Sequence, residues 1–490
     1  MTRDLARAVL AGVLLTLAVP PFGWWPLAVV AVAVLVGALD GAGGRRRAAL
    51  AYGFGLGFLL PGLWWMQEFT LPGFVLAALF ESALLTIGLV LGRGPLGVPA
   101  ALVVAEAVRA SWPWGGVPVP AIAHTQAGGP IGQAARVGGE LLLTAMVAAA
   151  GVGLWSLWRR RWSSGSAAVA GVVLLVAVGV VAPDGRATRG IDVATVQGGG
   201  ERGTRAIDTD EAVVFERHLD ASDDLPADVD LVLWPENVVH VDAPVEETPE
   251  GAALAVLARD RTLVAGVVIG GEAEGQSDVF LNLAYAWGPD GDVIDSYEKN
   301  TRVPFGEFIP FRSIVSKLGD VSAVPRDARV GHGPGYIETP AGDLGIVISW
   351  EVFFADRARD AISTGGEVLL VPTNAASFST AQMPALELAA ARLRAIETGR
   401  WVVQAAPTGF TAFVTPRGDV VERSDLGARE VLVHDVDLRR GKTLYTRLGD
   451  GPFVAGALAL LVLGRFRSWR TRTTTVTDTA TGTPTTTPRR

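Results

Sequence analysis

Long apolar segments separated by short polar ones fill the first 182 residues, and the pattern changes beyond them. An apolar run of about 20 residues is long enough to cross the hydrocarbon core of a bilayer as a helix. The predicted spans are Leu5–Val19, Pro26–Leu39, Ala48–Met66, Leu71–Leu91, Leu96–Ala110, Glu140–Leu157, Ala167–Val181 and Phe453–Leu463. Because the first, second and last runs are short, seven spans or fewer is the alternative.

The positions of the arginines predict how these spans are oriented. If the N-terminus is cytoplasmic, the loops after the second, fourth and sixth spans hold Arg45–Arg47, Arg93 and Arg159–Arg161. The tail after the last span is also Arg-rich, whereas the loops after the first and third spans contain no Lys or Arg. Since cytoplasmic loops carry an excess of these residues, the pattern predicts eight spans in the cytoplasmic membrane. It also places the region from about residue 190 to 450 outside the cytoplasm.

Short apolar runs alternate with helical patterns in that region. Continuous apolar strands with intervening helices are typical of a sheet covered on both faces. We therefore predict a membrane domain of about seven helices at 1–182, an α/β domain at 190–446, a membrane helix at 452–464 and a disordered Thr-rich tail at 471–490. The predicted strands are Ile191–Gln197, Leu231–Trp234, Thr262–Ile269, Leu344–Ser349, Val368–Val371 and Trp401–Ala405, and two predicted helices are Ile207–Leu219 and Ala385–Thr398.

Composition limits the chemistry that the chain can perform. It has no cysteine, which excludes disulfides, thiolate metal sites and a cysteine nucleophile. The net charge of −8 comes largely from the acidic region after residue 190, and no basic stripe there predicts nucleic-acid binding. The histidines show no ligand spacing, so neither a metal site nor any other cofactor is expected.

Polar residues come directly after several predicted strands, which is where open α/β sheets place their sites. Trp234-Pro235-Glu236 follows one strand, and Ser349-Trp350-Glu351 follows another. Lys299 follows a strand-like segment and precedes Val303-Pro304-Phe305-Gly306-Glu307. These segments are the candidates for a catalytic site.

Together with other segments in the same order, they resemble the apolipoprotein N-acyltransferases, membrane-bound members of the nitrilase superfamily. The resemblance implies an α-β-β-α sandwich outside the cytoplasm. It implies acyl transfer from a membrane phospholipid to the α-amino group of the diacylglyceryl-cysteine that begins a lipoprotein, through an acyl-enzyme. The matching segments also include Tyr297-Glu298-Lys299, Pro372-Thr373-Asn374, Arg394–Arg400, Pro20-Pro21-Phe22-Gly23, Trp112-Pro113-Trp114, Gln126 and Thr443–Asp450.

The resemblance also assigns roles to individual residues. The Glu–Lys–Cys triad of the family falls on Glu236, Lys299 and Ser349, and the nearby acid falls on Glu307. Three further residues are expected to support the site or to contact substrate: Trp350, Glu351 and Asn374.

This sequence departs from the family at the nucleophile, where Cys-Tyr-Glu reads Ser349-Trp350-Glu351. A thiol has an ordinary pKa of about 8.5, whereas a serine hydroxyl is far less acidic and needs a base during the attack. We expect Glu236 to be that base and the cationic Lys299 to stabilise the oxyanion, at a rate several orders of magnitude below that of a thiolate. Two further departures follow Asn374: Ala375 stands for the usual Asp, and Ser377-Phe378 for Trp-Phe.

The sequence is compatible with three functions. The first is the N-acyltransferase reaction with a serine nucleophile. The second is a catalytically silent homologue that binds lipid or lipoprotein, or that assists an active enzyme, and the missing cysteine motivates it. The third is an amidase or nitrilase with a small water-soluble substrate, which the predicted membrane spans disfavour.

Overall fold

The computed structural model describes residues 1–68, 70–200, 209–270, 279–317, 321, 324–374 and 381–464. Each of the first seven predicted spans lies on a helix. The predicted third span ends earlier than expected, because Pro61 and Gly62 close its helix and a 3₁₀ turn over Trp64–Glu68 follows. The helices are α1 (Thr2–Ala18), α2 (Pro26–Leu39), α3 (Gly44–Gly62), α4 (Leu71–Leu91), α5 (Gly94–Arg109), α6 (Ala135–Trp158) and α7 (Trp162–Val181).

Among the described residues, three helical segments are long and apolar enough to cross a bilayer: Leu71–Leu91, Gly132–Trp158 and Trp162–Val181. Pro26–Leu39 and Gly451–Gly464 are apolar but shorter. Most side chains of α7 are exposed although they are apolar, as expected for a helix that faces lipid. The chain thus has the character of a membrane protein, and the count of eight spans stays a prediction. The Thr-rich tail lies outside the described residues.

Two sheets follow the helical region. The first sheet has the strand order β14-β1-β2-β4-β5-β6, with β3 beside β4 and β7 beside β5. The second has the order β13-β12-β11-β10-β9-β8. The strands are β1 (Arg186–Gln197), β2 (Leu231–Leu233), β3 (Val239–Val241), β4 (Thr262–Gly270), β5 (Val279–Trp287), β6 (Val293–Glu298), β7 (Asp327–Ala328), β8 (Tyr336–Thr339), β9 (Gly342–Ile346), β10 (Val368–Pro372), β11 (Val402–Ala405), β12 (Ala412–Val414), β13 (Val420–Arg423) and β14 (Glu430–Arg440).

The two sheets pack face to face. Val193 and Leu231 of the first sheet share one buried core with Leu370 and Phe413 of the second. Helices cover both outer faces, which confirms the α-β-β-α sandwich implied by the family resemblance. The apolar runs alone had predicted a single covered sheet, since burial on both faces gives the same pattern in one sheet as in two. The remaining helices are α8 (Glu211–Ser222), α9 (Pro249–Leu257), α10 (Arg312–Val315), α11 (Ala355–Thr364), α12 (Gln382–Thr398), α13 (Leu444–Leu448) and α14 (Gly451–Gly464).

Helix α12 joins the sandwich to the membrane helices. Its buried face packs on the second sheet and also on α6. Gln382 at its start donates to the carbonyl of Pro61 at 2.9 Å and accepts a hydrogen bond from the backbone N–H of Trp65 at 3.1 Å. The start of α12 therefore lies beside the end of α3.

Candidate active site

Lys299 is the centre of a buried cluster of charged and polar side chains. Its Nζ donates hydrogen bonds to Oε1 of Glu236 at 2.8 Å and to Oε1 of Glu307 at 2.7 Å. Asn282 donates its Nδ2 to the same two oxygens, at 2.8 and 3.0 Å. These four residues are at most 9% exposed. The fold thus brings together three of the predicted site residues, which are separated by up to 71 positions in the chain.

Glu236 is positioned by a tight turn after β2. Trp234 of this turn is fully buried and donates its indole N–H to Ser222 at 3.2 Å. Strand β4 passes so close that a Cβ on Gly266 would lie 2.5 Å from Cα of Glu236. Glycine at 266 therefore permits the approach of β4 that fixes the carboxylate.

The two carboxylates hold Lys299 in its cationic form. Burial alone lowers the pKa of the ammonium, but the attraction of Glu236 and Glu307 outweighs burial and raises the pKa above its ordinary value. A cation of this kind stabilises developing negative charge and cannot accept a proton. Glu307 is fully engaged, because its second oxygen accepts the backbone N–H of Val303 at 2.8 Å.

Glu351 has no free oxygen and acts as a structural support. Its carboxylate accepts the hydroxyl of Tyr297 at 2.9 Å and the backbone N–H groups of Asn300, Thr301 and Ile348 at 2.8, 3.0 and 2.9 Å. Burial raises its pKa, although the nearby Arg357 and the backbone donors oppose that effect. Glu351 thereby ties the turn after Lys299 to the turn that carries Ser349.

Ser349 lies three residues beyond the end of its strand, whereas the predicted strand Leu344–Ser349 had included it. Strand β9 ends at Ile346, and Ser349 begins a 3₁₀ turn over Ser349–Phe353. Its φ of 49° lies in the left-handed region, which costs a non-glycine residue energy and is frequent at functional positions. The residue is only partly buried, so the turn presents its hydroxyl to the edge of the site.

Two residues beside Ser349 were absent from the predicted site. Thr373 Oγ1 lies 3.3 Å from Ser349 Oγ, and its hydroxyl also makes a very short hydrogen bond to Glu387. Burial, opposed by the hydrogen bond from Thr373 and reinforced by the charge of Glu236, raises the pKa of Glu387 to about 8. The sequence signal for Glu387 is an acid on the buried stripe of α12, one turn before Ala390 and Ala391.

Asn282 is the third residue missed from the sequence. It is an amide within the otherwise apolar middle of β5, and it is 1% exposed. A buried polar side chain in an apolar strand requires a partner, which was the available signal. Asn282 finds that partner in the two carboxylates beside Lys299.

Trp350 and Asn374 play different parts in the structure. The Trp350 ring is buried, with its centroid 6.3, 5.3 and 6.2 Å from those of Trp65, Phe353 and Phe354, so it packs between its own turn and the 3₁₀ turn that follows α3. Asn374 follows β10, and its buried Oδ1 has no hydrogen-bond partner among the described residues. Its role stays a prediction. The departures at Ala375 and Ser377-Phe378 lie outside the described residues.

A cleft of about 400 Å³ opens between the end of α5 and the loops beside Lys299. Trp114, which follows α5, lines the cleft together with Arg302, Phe308 and Arg357. The Trp114 ring also packs edge to face on Phe305, with centroids 6.2 Å apart. Tryptophan residues just beyond the end of a membrane helix are typical of the membrane–water interface. No group of three or more potential metal ligands occurs within the described ranges.

Two family models match the helical region and the region of the two sheets. A family model described as the apolipoprotein N-acyltransferase N-terminal domain matches residues 11–153, and one described as carbon-nitrogen hydrolase matches residues 192–445. Among solved structures, Nit3 of Saccharomyces cerevisiae, a nitrilase superfamily member, is 20% identical with a TM-score of 0.39, over 51% of this chain and 91% of that one.

Curated relatives match nearly the whole chain. The apolipoprotein N-acyltransferase of Mycolicibacterium smegmatis is 30% identical over 93% of this chain and 83% of its own length. Those of Allorhizobium ampelinum and Pseudomonas aeruginosa are 29% and 27% identical, over 86% and 94% of this chain and 88% and 95% of their own lengths. The chain belongs to the apolipoprotein N-acyltransferase family, whose catalytic domain is a carbon-nitrogen hydrolase.

Proposed function

We propose that this protein transfers an acyl chain from a membrane phospholipid to the α-amino group of an N-terminal diacylglyceryl-cysteine, through an ester on Ser349. The observation that carries the proposal is the joint burial of Glu236, Lys299 and Glu307 in one cluster, in a chain of this family. The charges of Glu236 and Lys299 both act on the pKa of Glu387, which neighbours Ser349. This supports placing the hydroxyl and the charged groups in one site.

In this proposal each residue has a separate task. Ser349 attacks the ester carbonyl of the phospholipid, and the cationic Lys299 stabilises the resulting oxyanion. Glu236 is the general base within the cluster around Lys299, and Glu307 holds Lys299 in place. Glu351 supports the turns, and Asn374 completes the site wall. No cofactor enters the reaction.

The cleft beside Trp114 supports access from the lipid phase. It joins the end of a membrane helix to the residues that follow Lys299, so a phospholipid could enter sideways from the bilayer surface. The arginine bias of the loops supports placing the hydrolase domain outside the cytoplasm, on a multi-pass chain in the cell membrane.

Intact-protein mass spectrometry tests the proposed chemistry. Native protein in detergent–phospholipid mixed micelles, without acceptor, should gain the mass of one acyl group, and Ser349→Ala should not. Addition of a diacylglyceryl-cysteine peptide should remove the adduct and yield a triacylated peptide. An unmodified native chain and no triacylated peptide, while Ser349→Cys reacts in both assays, would show that the native protein is silent.

The absence of native cysteine allows a clean test of sidedness. Asp290→Cys, on an exposed turn of the hydrolase domain, should react with a membrane-impermeant maleimide in intact spheroplasts. Arg160→Cys, between α6 and α7, should react only after lysis. The reverse labelling pattern would place the hydrolase domain in the cytoplasm.

A further inference from the structure

The hydroxyl of Ser349 faces a carboxylate that belongs to neither the Lys299 cluster nor the predicted triad. Glu387 projects from α12 and is 1% exposed, and Thr373, which bridges it to Ser349, is fully buried. Oε2 of Glu387 is buried and has no hydrogen-bond partner in the described part of the chain. Ser349 lies close enough to this carboxyl to influence its pKa directly. Three side chains with exchangeable protons therefore lie in a row: Ser349, Thr373 and Glu387.

Both carboxylates on the other side of the site hold the ammonium of Lys299, in each case through Oε1. Oε1 of Glu236 accepts from both Lys299 and Asn282, and both oxygens of Glu307 are occupied. A thiolate paired with Lys299 would need no proton acceptor, because it carries no proton. A serine must lose its proton as it attacks, and the acceptor must be within hydrogen-bond reach of its hydroxyl.

We propose that Glu387 is a positioning residue that takes up the Ser349 proton through Thr373, so that this site can use serine in place of cysteine. The inference rests on the proposed function. It assigns the proton transfer of acylation to Glu387 and leaves Glu236 for the acceptor amine in the second step.

The proposed steps balance in atoms and charge. As Ser349 Oγ forms its bond to the ester carbonyl carbon, its proton moves to Thr373 Oγ1, and the proton of Thr373 moves to Glu387. When the ester C–O bond breaks, Glu387 returns the proton through Thr373 to the leaving oxygen of the lysophospholipid, because Ser349 Oγ is by then bonded to the acyl carbon. The amine then attacks the Ser349 ester and loses a proton to Glu236, and Glu236 passes this proton to Ser349 Oγ as the bond between Oγ and the acyl carbon breaks.

The surroundings of Glu387 suit this task. A pKa of about 8 gives a base strength matched to neutral pH, unlike that of an exposed carboxylate. The charged groups that face Glu387 are Glu236, which raises its pKa, and Lys299, which lowers it. Because Glu387 must be ionised to accept a proton, the acylation rate of the native protein should rise with pH and level off above about 8.

A double-mutant cycle separates this role from a structural one. Acyl-enzyme formation is followed by rapid-quench mass spectrometry in mixed micelles, on Ser349 and Ser349→Cys backgrounds, each with Glu387 or Glu387→Gln. Gln keeps a partner for Thr373 and removes the base. We expect a loss of about 100-fold on the serine background and of less than about threefold on the cysteine background.

Controls keep the test decisive. Glu367→Gln alters another buried acid, one that binds Arg440, and should leave the rate unchanged. Thr373→Val should match Glu387→Gln, whereas Thr373→Ser keeps the hydroxyl and should lose far less. Equal losses on both backgrounds, or an unchanged pH profile in Glu387→Gln, would overturn the inference. A native protein that forms no acyl-enzyme at all would instead contradict the proposed function.

Discussion

Arg394 of α12 donates a hydrogen bond of 2.5 Å to Glu140 of α6, and so joins the hydrolase domain to the membrane helices through a buried ion pair. The Arg394 side chain is fully buried and also pairs with Glu397 at 2.9 Å. The cation therefore lies between two carboxylates that would otherwise be buried close together. The same helix carries Glu387 toward Ser349, so this pair also sets the position of the active site relative to the membrane.

Arg394→Ala should destabilise the protein strongly. It leaves the buried Glu397 and the largely buried Glu140 without their cation, and breaking a buried ion pair typically costs about 3–5 kcal/mol. Thermal unfolding in detergent should show a large decrease in Tm. The matched control is Arg429→Ala, which breaks an exposed pair with Asp224 and should change Tm little. Equal small effects of both substitutions would show that the buried pair does not hold the domains together.

Asn282 should be required to stabilise the two carboxylates that surround Lys299. Asn282→Leu removes a donor from both Glu236 and Glu307 and should cost about 1–3 kcal/mol of stability. Asn282→Asp keeps the size but adds a third carboxylate, so it should be the more damaging change at neutral pH. Chemical denaturation and acyl-enzyme formation measure the two effects. An Asp variant with native stability and rate would contradict the arrangement.

The raised pKa of Glu387 predicts the direction in which stability changes with pH. A carboxyl whose folded pKa is about 8 keeps its proton in the folded state at pH values where the unfolded chain has lost it. The folded state then binds more protons than the unfolded state, so this group reduces stability as pH rises from about 4.5 to 8.

Glu387→Gln removes that titration. Compared with the native protein, the variant should therefore become progressively more stable as pH rises from about 5 to 8. Other groups cancel in the comparison because both proteins contain them. Denaturant unfolding in detergent at several pH values provides the measurement. A stability difference that does not change with pH would show that Glu387 titrates normally.

Trp114 should matter for the lipid substrate more than for chemistry. It lines the cleft and packs on Phe305, but the charged cluster does not include it. Trp114→Ala should therefore raise KM for phospholipid severalfold with little change in kcat, the pattern for loss of uniform binding. Trp24→Ala removes another exposed tryptophan, at the α1–α2 turn, and should leave KM unchanged. A fall in kcat alone for Trp114→Ala would assign it a different role.

The sequence by itself determined the local features of this protein. Apolar runs of bilayer length marked the first helices because the chain must satisfy its backbone hydrogen bonds inside each segment. Continuous apolar strands, such as Val368–Val371, could be recognised because both of their faces are buried. The resemblance of short segments to a known family identified Glu236, Lys299 and Glu307, and these side chains do meet.

The tertiary structure alone decided which groups are neighbours. The pairing of β1 with β14 joins residues about 250 positions apart, and no local pattern encodes it. Asn282, Thr373 and Glu387 each resembled ordinary strand or helix residues, and they became candidates only when packing brought them beside Lys299 and Ser349. Hydrophobic periodicity records whether a side chain is buried, whereas the identity of its partner and the pKa that results depend on distances that only the folded chain creates.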